Sequence, residues 1–202
     1  MSMDTTELEE MRKWAWAELR RRVESCQKCP LCRTRKNTVL GEGPTENCRC
    51  VVIGEGPGEK EDEQGRPFVG ESGQLLTKIF SDCGIPRETV YITNMVKCRP
   101  PNNRDPESSE MEACSEYLEA QLLLLHPDIV VTVGKIATQK LFDTDKTISS
   151  MRGKWLDWRG IKFFPIFHPS YLLRSGGGSK PVQQTYMDIQ ALKASLDRLQ
   201  TH

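Results

Sequence analysis

Four cysteines in two distant pairs are the side chains best suited to chemistry in this chain. Cys26 and Cys29 have the spacing C-x-x-C, and Cys98 and Cys114 lie within the segment KCRPPNNRDPESSEMEAC. The N-terminus MSMDTTELEEMRKWAW has no apolar signal segment, so we expect a cytoplasmic, reducing environment in which cysteines do not form structural disulfides. Thiolates grouped in this way predict a soft metal centre that ties the N-terminal segment to the middle of the fold.

Three further segments carry side chains that could act on a ligand, and each follows a short apolar run. GEGPGEKED begins at Gly54, NMVKCRPP follows from Asn94, and HPSYLLR begins at His168. The apolar runs are rich in β-branched or aromatic residues and do not alternate, which is typical of strands buried on both faces. Ligands of parallel sheets bind beyond the carboxyl ends of the strands, so we expect these segments to meet.

The order of the predicted elements indicates an α/β protein. The predicted strands are 50–53, 90–93, 129–133 and 163–167, and the predicted helices are 5–25, 72–83, 106–125, 135–142 and 182–199. Strands that alternate with helices predict a three-layer α/β/α sandwich around a short, mostly parallel four-stranded sheet. A length of 202 residues suits a single domain.

Charge composition gives no sign of a nucleic-acid partner. Lys plus Arg and Asp plus Glu number 28 each, which by itself favours an ordinary enzyme of small molecules. A nucleic-acid partner would require the cations to gather on one face. The predicted basic face consists of Arg99, Arg104, Lys135, Lys154 and Arg174, with the acidic run from Glu59 to Glu63 solvated elsewhere. No run reaches transmembrane length, so we expect no membrane partner.

The first of the three segments is a tight loop, Gly54-Glu55-Gly56-Pro57-Gly58. It is not a dinucleotide fingerprint, because position 59 holds a glutamate where G-x-G-x-x-G requires glycine. Its glycines permit close approach of the backbone to a ligand. Glu55 either points into the site or is a solvated turn residue.

Phe68, Asn94 and His168 are candidate ligand-binding side chains, each with an ordinary structural alternative. Phe68 offers a stacking platform for a base, or a loop anchor in the core. The Asn94 amide suits the edge of an amide-like ring, or simply a turn. His168 follows a predicted strand, where a neutral imidazole can donate a hydrogen bond to a developing anion.

Two short segments are candidate DNA contacts. Ser72 and Gly73 open a predicted helix whose free N–H groups suit a phosphate, although serine is also an ordinary N-cap. Leu172 and Arg174 precede three consecutive glycines and have the composition of a wedge that enters DNA. The alternative is a short helix that packs its leucines inward.

Taken together, these segments resemble the family 4 uracil-DNA glycosylases, the iron–sulfur enzymes of the uracil-DNA glycosylase superfamily. The resemblance covers the chain from Cys26 to Arg174 in six ordered motifs. They are C-x-x-C-x-L-x-x-x-R, GEGPGEKED, G-x-PFVG-x-x-G-x-LL, N-x-x-KCRPP, the single Cys114, and HPSYLLR.

The resemblance implies a DNA repair enzyme that flips uracil out of single- or double-stranded DNA and hydrolyses its N-glycosidic bond. It implies a 4Fe–4S cluster held by Cys26, Cys29, Cys98 and Cys114, with Cys32 close enough in sequence to be an alternative ligand. It also implies one domain over 1–202, in which the cluster joins the N-terminal helix and cysteine loop to the rest of a monomer.

The resemblance also implies roles for the residues of the bond-breaking step. Glu55 positions or activates water, or shields a cationic sugar, and His168 hydrogen-bonds the uracil O2 as the anion leaves. The family 1 enzymes carry an aspartate in the glycine loop where this chain has Gly56, so the resemblance places Glu55 in the site and leaves its water-activating and electrostatic roles both open.

Base and DNA contacts are implied in the same way. Phe68 stacks on the uracil, and Asn94 reads its amide edge and rejects cytosine. Leu172 fills the gap in the base stack, while Ser72, Gly73 and Arg174 contact phosphates.

Two other classes of protein fit part of the pattern. A zinc-stabilised nucleic-acid-binding module without catalysis suits four thiolates as well, because spacing alone does not separate zinc from iron. A ferredoxin-like electron-transfer protein would not need Asn94, His168 or Leu172, and its cysteines usually cluster more tightly.

Overall fold

The computed structural model describes residues 4–158 and 160–200. Within these ranges the helices are α1 (Thr5–Glu24), α2 (Glu59–Gln64), α3 (Glu71–Asp82), α4 (Ser108–Leu125), α5 (Gly134–Phe142), α6 (Ile148–Met151), α7 (Pro169–Ser175) and α8 (Lys180–Gln200). The strands are β1 (Cys50–Gly54), β2 (Tyr91–Asn94), β3 (Ile129–Val133), β4 (Leu156–Trp158) and β5 (Ile161–Ile166).

The strands form one sheet in the order β2-β1-β3-β5-β4. All neighbouring pairs are parallel except β4 and β5, which are antiparallel. The α/β/α class is confirmed, but the prediction of four strands is wrong because β4 is a fifth. This strand is three residues long with Asp157 at its centre. It lies at the edge of the sheet and pairs with one neighbour only, so it is not buried like a central strand and does not need a continuous run of apolar residues.

Successive residues of the central strands face two separate cores. Val51 and Ile53 pack with residues of α1, α4 and α5, whereas Cys50 and Val52 pack with residues of α3, α7 and α8. Because helices cover both faces, the strands have no solvent-facing side that would favour polar residues at alternate positions. The uninterrupted apolar runs of the sequence follow from this burial.

The acidic run after β1 is not solvated as predicted. Asp62 is buried, and its carboxylate accepts hydrogen bonds from the main-chain N–H groups of Lys36 (2.9 Å) and Asn37 (3.2 Å). Glu61 accepts from the N–H groups of Gly58 (3.1 Å) and Gly70 (2.7 Å). Both carboxylates therefore hold loops around the site through hydrogen bonds. Only the other residues of the acidic run face solvent.

The carboxyl ends of the parallel strands lie at one edge of the sheet. The three segments GEGPGEKED, NMVKCRPP and HPSYLLR meet at this edge. No helix within the described ranges is both long enough and apolar enough to cross a bilayer.

Candidate active site

A cleft of about 620 Å³ opens at the carboxyl edge of the sheet. Its volume lies within the range of roughly 300–1,000 Å³ that is common for small-molecule sites. The predicted site residues that line it are Glu55, Gly56, Pro57, Gly58, Phe68, Ser72, Gly73, Asn94, His168 and Arg174. Gly54 lies at the end of β1 against two of these side chains, whereas Leu172 lies elsewhere.

Gly54 allows Asn94 and Phe68 to converge on one point. A β carbon at Gly54 would lie 2.5 Å from the Asn94 Oδ1 and 2.5 Å from the Phe68 Cζ. No side chain fits there without displacing a ring or an amide. Gly54 thus shapes the floor of the cleft, and the base-contacting candidates from two different loops come together above it.

Phe68 is held in a strained backbone conformation, with a φ of 50° that non-glycine residues seldom adopt. Arg87 supports it by donating to the carbonyl oxygens of Pro67 (2.6 Å) and Phe68 (3.2 Å). A β carbon at Gly73 would lie 2.1 Å from the carbonyl carbon of Phe68, so only glycine permits this contact. The sequence did not single out Arg87, which lies far from the motif in the chain.

The start of α3 differs slightly from the prediction. The N-cap is Gly70 and the helix begins at Glu71, so Ser72 and Gly73 lie in its first turn. Both residues line the cleft, but Gly73 is buried beneath Phe68. Its requirement for glycine therefore comes from packing.

Asn94 ends β2 and is buried, with 1% of its surface exposed. Its Oδ1 is buried and has no hydrogen-bond partner among the residues that the structure describes. An unpaired buried acceptor costs free energy, which a ligand N–H group would recover. The amide of Asn94 is therefore arranged to receive a donor from the cleft.

His168 is the N-cap of α7, and its ring is fixed by the residue two positions later. The Ser170 main-chain N–H donates to Nδ1 (3.2 Å), and the Ser170 Oγ lies 2.8 Å from the same nitrogen. Because Nδ1 accepts, the ring proton of the neutral imidazole belongs on Nε2. Burial, with the positive charge of Arg174 as a smaller cause, lowers the pKa of His168 to about 4.

Gly134 makes room for this histidine. It has a φ of 88°, and a β carbon there would lie 2.9 Å from the Cβ of His168. The ring of His168 lies 6.4 Å from that of Phe68, measured between centroids. The sequence did not predict Gly134, although its place directly after an apolar run was the available signal.

Glu55 lies in the loop after β1 and is half-buried in the cleft. Burial raises its pKa to about 7, and the carboxylate of Asp105 adds a smaller repulsion. Asp105 also lines the cleft, together with Arg104. Asp105 was not predicted and Arg104 was predicted only as part of the basic face, because the segment between Cys98 and Cys114 was interpreted mainly through its cysteines.

The prediction that Leu172 is an exposed wedge in a loop is wrong. HPSYLLR forms the N-cap and most of α7, and Leu172 is 2% exposed in the core beside α3 and α8. Its neighbours Tyr171 and Leu173 are 42% and 37% exposed. Helical periodicity turns one leucine inward and the other outward, so the alternative of an inward-packing helix is correct for Leu172.

Truncation of Leu172 should accordingly destabilise the fold. We expect Leu172→Ala to lower the free energy of unfolding by about 2–5 kcal/mol, because it leaves a cavity in the core. Leu173→Ala is the matched control and should leave the melting curve nearly unchanged. Denaturant unfolding of both variants measures this difference, and equal stability of the two would contradict the burial of Leu172.

The predicted metal ligands line one small cavity, which is separate from the cleft. Its cysteines are Cys26, Cys29, Cys32, Cys98 and Cys114. In the described part of the chain, no three Cys, His, Asp or Glu side chains are grouped so as to hold a metal ion.

Two cations stand beside these thiols. The Arg35 Nη1 donates to the Cys98 sulfur (3.1 Å), and the buried Lys97 also lines the cavity. Burial raises the pKa of Cys98 to about 11 and lowers that of Lys97 to about 8. Thiolates in this cavity therefore need positive charge beside them, which these residues and a metal centre would supply.

The predicted basic face is only partly assembled. Arg104, Lys135 and Arg174 line the cleft, whereas Arg99 and Lys154 do not. Arg99 lies 3.5 Å from the carboxylate of Glu59. The cations at the cleft are therefore fewer than the sequence suggested.

The fold and the cleft together define an α/β/α protein with a polar cleft at the carboxyl edge of a parallel sheet. A family model described as the uracil DNA glycosylase superfamily matches residues 40–190. The chain is 51% identical over 156 residues to a type-4 uracil-DNA glycosylase of Thermotoga maritima, covering 76% of this chain and 81% of the relative. It is 42% identical over 182 residues to a type-4 uracil-DNA glycosylase of Saccharolobus solfataricus, covering 86% and 84%.

A type-5 uracil-DNA glycosylase of Pyrobaculum aerophilum is more distant, at 27% identity over 202 residues and coverage of 84% and 88%. The chain belongs to the uracil DNA glycosylase superfamily, and within it to the type-4 uracil-DNA glycosylases.

Proposed function

We propose that this chain is a uracil-DNA glycosylase of base excision repair, which hydrolyses the N-glycosidic bond of uracil flipped out of DNA and leaves an abasic site. The observation that carries the proposal is the convergence of Glu55, Phe68, Asn94 and His168 at one cleft. Relatives named type-4 uracil-DNA glycosylases, similar over most of the chain, support it.

The direct test is release of free uracil from an oligonucleotide with one uracil, read as strand cleavage at the abasic site. An oligonucleotide with cytosine at the same position is the control. Binding of the uracil strand without release would favour the alternative of a metal-stabilised binding module.

Base recognition follows from the chemistry of Asn94 and Phe68. The Asn94 Oδ1 accepts from the uracil N3–H, and its Nδ2 donates to the uracil O4. Cytosine presents an acceptor at N3 and a donor at N4, so both contacts become mismatched. Phe68 stacks on the face of the base, and its strained backbone holds the ring before the base arrives.

Bond cleavage follows from His168 and Glu55. As the bond between C1′ and N1 breaks, its electron pair stays on the uracil, and the His168 Nε2–H donates to the O2 on which charge gathers. Water adds to C1′, and the Glu55 carboxylate accepts its proton. The imidazole stays neutral throughout because it donates a hydrogen bond and transfers no proton.

The role of Glu55 predicts the pH dependence of the rate. Because Glu55 must be ionised and its pKa is about 7, single-turnover excision should rise as pH increases through about 7. His168 titrates at about 4 and should not limit the rate in this range. Glu55→Gln should remove the pH dependence and lower the rate. A wild-type rate that is flat from pH 6 to 8, about one unit either side of this pKa, would contradict the assignment.

The raised pKa of Glu55 should also change the free energy of unfolding. The folded carboxyl holds its proton more tightly than the unfolded one, so stability is lost as pH rises from the ordinary pKa of 4.5 to about 7. Above this window Glu55→Gln should be more stable than wild type, by on the order of 3 kcal/mol at most. Thermal melting at both ends of the window measures the difference.

We further propose that the cysteine cavity holds a 4Fe–4S cluster on Cys26, Cys29, Cys98 and Cys114. A tetrahedral zinc ion with Zn–S bonds of about 2.3 Å draws its ligands to one point, whereas a cluster takes one thiolate per iron. Cys26, Cys29, Cys98 and Cys114 line this one cavity and would supply the four thiolates that such a cluster takes. When bound, the cluster supplies a cross-link between the N-terminal segment and the rest of a single domain over 1–202.

Cys98→Ala should lose the broad visible absorption of an iron–sulfur cluster and become poorly soluble, since ligand loss removes local folding free energy. Cys32→Ala is the matched control, because Cys32 lines the same cavity outside the proposed ligand set. It should keep both colour and iron. A colourless wild-type protein with stoichiometric zinc would contradict the cluster.

The DNA contacts are proposed from the rim of the cleft. Arg174 and the first turn of α3, with Ser72 and Gly73, bind phosphates beside the flipped nucleotide. Lys135 adds positive charge to the same rim, whereas Arg104 is paired with the carboxylate of Glu110 (2.7 Å). We propose that the enzyme acts as a monomer on single- or double-stranded DNA.

A further inference from the structure

Lys97 is a buried lysine that lies between the cysteine cavity and the base-reading asparagine. Its surface is 1% exposed. The ammonium donates to the main-chain oxygen of Asn94 (2.6 Å) and to the Thr93 Oγ1 (2.8 Å). Its side chain therefore folds back onto the last residues of β2, where Asn94 enters the cleft.

The main chain around Lys97 reaches both sites. Lys97 lines the cysteine cavity together with Cys98 and Cys114. One residue earlier, the N–H of Val96 donates to the carbonyl oxygen of Glu55 (3.2 Å). The segment 94–98 thus runs from the cleft to the metal cavity, and the path is only five residues long.

A buried ammonium needs compensating negative charge as well as hydrogen-bond acceptors. Its two acceptors in β2 are neutral, and the cavity that Lys97 lines is also lined by Cys98 and Cys114. Metal ligation requires thiolates, so an occupied cavity places negative charge beside Lys97. The charge balance of this lysine is then tied to occupancy of the cavity.

We propose that Lys97 is a positioning residue that couples the metal centre to base recognition. The thiolates of the loaded cavity hold the ammonium, and the ammonium holds the carbonyl end of β2 so that the Asn94 amide keeps its place in the cleft. Lys97 touches neither the base nor the sugar. The inference rests on the functions proposed above for the cleft and the cavity.

The test compares Lys97→Met with Lys28→Met. Lys28 lines the same cavity, but it is exposed and pairs with Glu116 (2.5 Å) rather than with β2. The competitive inhibition constant of free uracil reports on base binding at Asn94 rather than on the rate of bond cleavage. Loss of a charged hydrogen bond should weaken this inhibition about tenfold or more in Lys97→Met. Lys28→Met should match wild type, and both should keep their iron.

A second measurement begins with wild-type protein. Coupling is reciprocal, so saturation of wild-type protein with free uracil should change the visible circular dichroism of the cluster. The change should disappear in Lys97→Met. No change in wild type, or wild-type uracil inhibition in Lys97→Met, would overturn the proposal. If wild-type protein releases no uracil from DNA, the proposed function fails instead, so the two failures are distinguishable.

Discussion

His168→Ala should slow single-turnover excision of uracil by about a hundredfold or more, the usual cost of removing one preorganised donor to a developing oxyanion. The donor is preorganised because Ser170 holds Nδ1 and leaves the proton on Nε2. It is also neutral, since burial lowers the pKa of His168 to about 4. Binding of uracil-containing DNA should change little, because the contact strengthens only as charge develops on the base.

Single-turnover rates and DNA dissociation constants, measured on the same oligonucleotide, check this prediction. His126→Ala is the matched control, since His126 is an exposed histidine at the C-cap of α4. Ser170→Ala should fall between the control and His168→Ala, because the ring keeps its place but loses one of its two restraints. Equal losses of rate and binding in His168→Ala would indicate a structural histidine.

Asn94→Asp should exchange part of the uracil activity for excision of cytosine. A site whose buried groups pair with one base edge can reject a base that leaves them unpaired by roughly 10⁴-fold. The unpaired Oδ1 of Asn94 is such a group, and uracil supplies the donor that it lacks. A carboxyl at this position can accept from the cytosine N4 and, when protonated, donate to N3.

The ratio of uracil to cytosine excision rates measures this change. Asn103→Asp is a control for charge, because Asn103 also lines the cleft but is exposed and bonded to Arg99. It should leave the ratio intact. Uracil rates that stay at the wild-type level in Asn94→Ala would remove Asn94 from the base pocket.

Much of this fold could be predicted from the chain alone. The strands β1, β2, β3 and β5 are continuous apolar runs because helices cover both faces of the sheet, and this pattern is visible in the sequence. β4 could not be predicted in this way. It has three residues, and what makes it a strand is pairing with β5, which is a tertiary contact.

The residues of the candidate site also divide into those that the sequence predicts and those that it does not. Glu55, Asn94 and His168 were predictable because each follows a strand, and parallel strands bring their carboxyl ends to one edge. Asp105 was not predictable, because its role comes from a neighbour far away in the chain, and Gly134 follows a strand but must be glycine because of a distant histidine. Asp105 acts on Glu55 across the cleft, and Gly134 gives His168 its space.

Leu172 is the clearest case in which the sequence alone did not predict the environment of a side chain. Residue types and spacing were sufficient to indicate the chemistry of this chain, because a motif records which side chains stand next to each other along the backbone. Burial depends on which face of α7 meets α3 and α8, and no local pattern in HPSYLLR encodes that. The same holds for the strained φ of Phe68 and the pKa of Glu55, which arise from packing and desolvation in the folded chain.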